Sequence, residues 1–171
     1  MAEMEIELPE LLLLESFGGD FSKYIEAVYE VFRQDFLNHK TTFRDEELRL
    51  KWHPIFQEKA YTFYHMTHTG DDEQNREPDL RRCERMPWAR PVIENCDQWD
   101  LKIWPQKRHG ANRLCIWLEL EDEPDYFIII DVRSNCKLLW TTFVAEYENQ
   151  KRKKQKEYTE WLKTLKPPSK T

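Results

Sequence analysis

The sequence lacks the motifs by which nucleotide cofactors and the common hydrolase mechanisms are recognised. It has no GxGxxG or Walker loop to cradle phosphates on backbone N–H groups, no HExxH helix to offer two histidines to zinc, and no GxSxG elbow to raise a nucleophilic serine. Acids paired at metal-type spacing are missing from the segments that read as strands. Cysteine is scattered: Cys83, Cys96, Cys115 and Cys136 stand 13, 19 and 21 residues apart without a CxxC pair. That spacing supports neither a zinc knuckle nor a disulfide framework and predicts buried thiols. The apolar run LPELLLL, Leu8 to Leu14, is far too short for a bilayer, and no basic segment leads into an export-type stretch. The expectation is a soluble, cytoplasmic chain with no membrane partner, cofactor or resident metal.

What is present suits one domain with a sizeable core, since 40% of the 171 residues are hydrophobic and 13% aromatic. The net charge of -6 hides an asymmetry: residues 1–100 carry 12 Lys+Arg against 22 Asp+Glu, and residues 101–171 carry 14 against 10. The run QKRKKQK, Gln150 to Lys156, supplies much of the basic excess. A basic C-terminal part can meet phosphates while an acidic leader faces water or shields that surface. The alternative for such a run is a solvated helix face.

Periodicity divides the chain. Phe21, Tyr24, Ile25, Val28, Phe32 and Phe36 recur at three and four residues behind Asp20, predicting a capped helix that ends near His39. Lys40 to Lys51 is polar, and Pro54 breaks WHPIF. The run FYHMT reads as a short strand or the lip of a helix, closed by Gly70 and the acids after it. EPDLRRCERM predicts a helix opened by Pro78 and Asp79 and stopped or kinked at Pro87, with a second short helix over Val92 to Cys96. Beyond Asp97 the period becomes two. WDLKIW, RLCIWLEL, YFIIIDV and KLLWTTFV predict four strands, with PQKRHGAN, EDEPD and RSNC as connections. In the second strand Leu114, Ile116, Leu118 and Leu120 share one face, Arg113, Cys115, Trp117 and Glu119 the other. Glu146 to Lys166 predicts a charged helix that docks Tyr147, Tyr158, Trp161, Leu162 and Leu165 on the sheet. The fold class is α+β: N-terminal helices, a four-stranded antiparallel meander and a C-terminal helix. Residues 1–60 form an acidic helical extension, 61–166 the core, and 167–171 a disordered tail.

The candidate chemistry lies in YTFYHMTHTGDDE, Tyr61 to Glu73, and in the cations placed around the sheet. A helix would bring His65 and His68 to one side as metal ligands, with Cys83 an unforced third, but the spacing carries little weight. Arg113 and Lys102 project from the strand face where Trp104 and Trp117 also point. Cations hold phosphate and flat rings stack on unpaired bases, so such a face suits RNA. A histidine and a threonine complete the parts for metal-free RNA cleavage: a base for the 2′-OH proton, an acid for the leaving oxygen, and cations for the added charge. Histidine suits the proton transfers because its ordinary pKa lies near ~6.5.

The succession YTFYHMTHTGDDEQNREPDLRRCERMPWARPVIEN, WPQKRHGANRLCIWLE, DYFIIIDVR, LLWTTF and KRKKQKEYTEWL resembles the Barnase–EndoU–Colicin–RelE-like small ribonucleases of phages and mobile elements, over residues 20–165. The resemblance implies a RelE/barnase-like core of helices and a four-stranded sheet with a cleft on its face. It also implies metal-independent endoribonuclease activity, used as a toxin or in phage defence, with RNA as substrate and a cognate antitoxin or regulatory protein as partner. It puts His65 before a short polar loop, Arg82 and Arg85 on the following helix, Arg108 and Arg113 around the second hairpin, and Thr141 in the last strand. There the sequence departs from the family's TAY context, with Thr142 and Phe143 in place of alanine and tyrosine, which removes one phenol. The expected catalytic set is His65, Arg82, Arg113 and Thr141; the expected substrate contacts are His68, Arg85, Lys102, Arg108 and Trp117. The competing reading is a non-catalytic RNA- or protein-binding module, an inactivated relative or an immunity or regulatory factor. In that reading His65 is a hydrogen-bonded core residue, Arg82 and Arg85 pair with Asp79 and Glu84, Arg113 only covers an indole, and Thr141 is a strand former.

Overall fold

The computed structural model describes residues 5–165. Asp20 caps α1 (Phe21–Phe32), its carboxylate accepting from Lys23 N at 3.3 Å, and a π-helical turn over Arg33–Leu37 follows. The buried side of α1, Tyr24, Val28 and Phe32, enters the main core as the period predicts. An N-terminal strap lies across the helices: Trp88 Nε1 donates to Pro9 O at 2.7 Å and Tyr24 Oη to Leu12 O at 2.7 Å.

The strands form a larger sheet than the meander expected. β5 (Lys102–Arg108), β6 (Ala111–Leu118), β7 (Asp125–Val132) and β8 (Lys137–Ala145) do run as an antiparallel meander. The sheet continues past β8, however, into β2 (Glu46–Arg49), which pairs with β8 in parallel, and β1 (Thr42–Phe43), for a six-stranded mixed order β1-β2-β8-β7-β6-β5. The added strands fall in the polar stretch Lys40 to Lys51, where only Phe43 and Leu48 are buried hydrophobics and period two has no room to show. A two-residue edge strand such as β1 offers little to pair with other chains. The β1–β2 turn, Arg44 and Asp45, holds both residues at positive φ (50° and 66°), as a two-residue hairpin of right-handed twist requires.

Local expectations shift in three further places. FYHMT belongs to α2 (Tyr61–Thr67), a helix buried along its whole length, followed by a small ribbon of β3 (His68–Thr69) and β4 (Glu77–Pro78). The kink falls at Arg85, between α3 (Leu80–Glu84) and α4 (Met86–Asn95); Pro87 sits in the first turn of α4, where its missing N–H costs nothing. Most of PQKRHGAN is strand, and only His109 and Gly110, both at positive φ, turn. β5 is an edge strand, so it tolerates Pro105, and Gln106 and Arg108 become strand residues.

Each strand sends alternate residues to two layers. Ile116, Leu118, Ile128, Ile130 and Leu139 face the helical core with α1 and α4. Trp104, Cys115, Trp117, Phe127 and Ile129 face α5 (Glu148–Leu165), whose Tyr158 and Trp161 cover them; Tyr147, Leu162 and Leu165, expected to dock there too, are exposed. Among the described residues no helix is long and apolar enough to cross a membrane. The tail expected at 167–171 lies outside the described residues.

Candidate functional site

α2 reaches the site because its backbone ends are answered by the chain around it. Tyr61 N and Thr62 N donate to Trp52 O and Lys51 O, taking two of the amide donors that a helix start leaves free. At the other end Arg82 Nη1 donates to His65 O and His68 O, both at 2.9 Å, and Thr141 Oγ1 donates to His65 O at 2.8 Å. Only the first residues of β8 pair with β2, so α2 covers the outer edge that remains, with Thr62 Oγ1 against Leu139 O.

Opposite α2 the pairing of β7 with β8 slips. Ile129 faces Thr141 and Ile130 faces Leu139, which leaves Trp140 as an extra residue in a β-bulge. Leu139 stays in the helical core, whereas Trp140 and Thr141 both look toward the α5 layer. A bulge re-aims neighbouring side chains in this way.

The result is a cleft of about 330 Å³ between α2, the bulge, the ends of β5 and β6, and the start of α5. His65, Thr141 and Trp140 line it together with six cations, Arg76, Arg82, Arg108, Arg113, Lys153 and Lys154, and among the described residues no carboxylate does. Three cations have acids behind them: Arg82 with Asp79 at 3.2 Å, Arg113 with Asp131 at 3.6 Å, and Lys154 with Glu157 at 3.4 Å. Arg76, Arg108 and Lys153 form no ion pair among the described residues. The buried Nε donor of Arg76 also lacks an acceptor. Crowded like charges and an unmet donor are compensated by an anion.

His65 forms one wall of the cleft, 8% exposed. Its Nε2 stands 2.8 Å from Arg76 Nη1 and 2.9 Å from Tyr61 Oη, with Glu73 Oε1 at 3.7 Å. A guanidinium only donates, so Nε2 accepts and the neutral ring carries its proton on Nδ1. Burial first, then the Arg76 charge, pushes the pKa down to about 4. The Tyr61 hydroxyl beside Glu73 holds that carboxyl below its ordinary range. The imidazole is therefore neutral at pH 7 and can take a proton once Arg76 moves.

Five of the residues expected at a site meet here: His65, Arg82, Arg108, Arg113 and Thr141. Two of them spend their polar atoms on the fold, since the Thr141 hydroxyl and Arg82 Nη1 both hold the end of α2. The other four lie outside the lining. His68 packs on Tyr64 with ring centroids 4.6 Å apart, its Nδ1 2.8 Å from Thr67 Oγ1. Arg85 is buried, bonded to Arg81 O and paired with Glu84. Trp117 is sealed under α5, donating to Asp125, so its ring face is closed to a base. Lys102 spans the Trp117 and Tyr158 rings and pairs with Glu119.

Arg76 belongs to the cations expected around the sheet but had no assigned role, and Trp140, Lys153, Lys154 and Tyr61 were not singled out as site residues. Lys153 was visible within the basic run, and Tyr61 stands one helical turn before His65. Trp140 gave no signal, because a bulge breaks the very alternation that would place it. Its half-buried ring has the Arg113 guanidinium 4.5 Å and Lys51 Nζ 5.5 Å from its centroid. Among the described residues no group of three or more His, Cys, Asp or Glu side chains is arranged to hold a metal. No protein-family model matches the chain, and no curated protein or solved structure is significantly similar to it.

Proposed function

We propose that the cleft binds the phosphodiester backbone of RNA and cleaves it without a metal. The observation that carries this reading is six cations around one neutral histidine with, among the described residues, no carboxylate in the lining. The phosphate enters among Arg108, Arg113 and Lys153, and Arg76 leaves His65 Nε2 to join them. The freed nitrogen takes the 2′-OH proton, O2′ bonds to phosphorus and the P–O5′ bond breaks. The protonated ring is still disfavoured by its burial, so it returns the proton to the leaving 5′ oxygen. The arginines offset the charge that builds on phosphorus, Arg82 from behind, through the field of its buried guanidinium. The phenol lacking at position 143 has a substitute in Tyr61, which positions the imidazole. Such activity fits a toxin or phage-defence effector held in check by a cognate partner.

The test is cleavage of RNA in the presence of chelator, leaving a 2′,3′-cyclic phosphate. His65→Ala abolishes it, by about 10²- to 10⁴-fold on the scale of a lost proton-transfer group, while the protein stays folded. The hydrogen bond from Arg76 to Nε2 favours the second reading, a module that binds RNA and does not cut it, because the accepting lone pair is occupied. RNA binding without cleavage or growth arrest would select that reading.

A further inference from the structure

We propose that the RNA is single-stranded and continues beyond the cleft, across β5 and along the outer face of α5, where exposed cations hold its phosphates. The inference rests on the reading of the cleft as an RNA-backbone site.

The cleft leads outward. Gln106 and Arg108 also line a second depression of about 260 Å³ between β5 and α5, where Lys107 adds a cation. Glu160, on the wall of that depression, borders a third one on α5 that Arg152, Lys156 and Lys163 surround. Shared lining residues thus join three concavities into one path.

The basic run divides by function along this path. Lys151 and Lys154 are tied to Asp125 and Glu157, and Lys154 is buried. Arg152, Lys156 and Lys163 are exposed and form no ion pair among the described residues. Their spacing of four and seven residues keeps them on one side of the helix, over ~16 Å at 1.5 Å per residue. A helix face placed only for solubility would balance these cations with acids. Among the described residues, Lys107, Arg108, Arg152, Lys156 and Lys163 outnumber the two carboxylates on the path: Glu157, which Lys154 and Gln106 engage, and Glu160, which sits between Lys156 and Lys163. Such a line of cations follows a flexible polyanion. The cleft itself is small-ligand sized, with room for a nucleotide and not for a duplex.

The experiment measures binding of uncleavable 2′-O-methyl oligoribonucleotides, a trimer and a dodecamer, between ~50 and ~200 mM salt. The double variant Arg152→Gln/Lys156→Gln should bind the dodecamer more weakly, with a salt slope shallower by ~1.4 for two lost single-strand phosphate contacts, and bind the trimer unchanged. Arg108→Gln should weaken both. A double variant that binds the dodecamer like the wild type, while the trimer is still bound, overturns the track and leaves the cleft reading standing. Wild-type protein that binds neither oligonucleotide overturns the cleft reading, and the track with it.

Discussion

Two of the tryptophans on one face of the sheet stand in opposite circumstances. Trp117, in β6, is 1% exposed, stacked on Phe127 and hydrogen-bonded to Asp125, with α5 above it. Trp140, in β8, is half-buried on the cleft, against His65 and the Arg113 guanidinium. Both belong to the layer beneath α5, yet one fills a core and the other walls a polar cleft. The cover makes the difference. Tyr158 and Trp161 close the layer at one end; at the other the first turns of α5 bring Gln150, Lys153 and Lys154 to the rim instead of apolar side chains. A sheet face left uncovered must bind solvent or a ligand, and the cations around this one favour an anion.

The largest effect expected to sharpen that contrast comes from truncating the two rings. Trp117→Ala should cost about 3–5 kcal/mol of stability, read from the denaturant midpoint, because it empties a sealed site. Trp140→Ala should change stability by less than about 1.5 kcal/mol and instead weaken RNA binding by about 1–3 kcal/mol, as loss of a stacking ring does. Equal stability losses would erase the distinction between core and cleft. Acid should act next most strongly, and on the α2 side. His65 and His68 both have pKa values pushed down to about 4, His65 by burial and Arg76, His68 likewise. The unfolded chain binds their protons near ~6.5 and the folded protein only near 4, so the unfolded state carries more protons in between. Stability contributed by these rings is therefore complete above ~6.5 and falls as pH drops toward 4. Thermal melts of the wild type and of His68→Gln across this window check the slope, which should be shallower in the variant. The smallest effect belongs to Arg108, which forms no ion pair among the described residues. Arg108→Gln should leave stability within about 0.5 kcal/mol while reducing the salt dependence of RNA binding by ~0.7 in slope.

How much of this was legible in the sequence depends on the interactions each part needs. α1, the meander and α5 were visible because their apolar periods are local, and the common face of Lys102, Arg113, Trp104 and Trp117 followed from alternation alone. β1 and β2 were not, since two residues, and four of which three are charged, carry almost no pattern. Burial misled the site assignment. Arg85 and Arg82 look alike on the helix after the polar loop, yet Arg82 reaches the carbonyls of α2 while Arg85 turns into the core against Trp88. Lys102 and Trp117 share the predicted face with Arg113, but α5 covers them and stops short of Arg113.

By itself the sequence determined the α+β class, the strand faces and a chain rich in cations toward its C-terminal part. These follow from periodicity and composition, which are properties of neighbouring residues. Only the tertiary structure decided that β2 extends the sheet in parallel, that a bulge turns Trp140 outward, and that Arg76 lies on His65. Each of those joins residues distant in sequence or depends on a slip in pairing, and their geometry is set by packing across the whole domain.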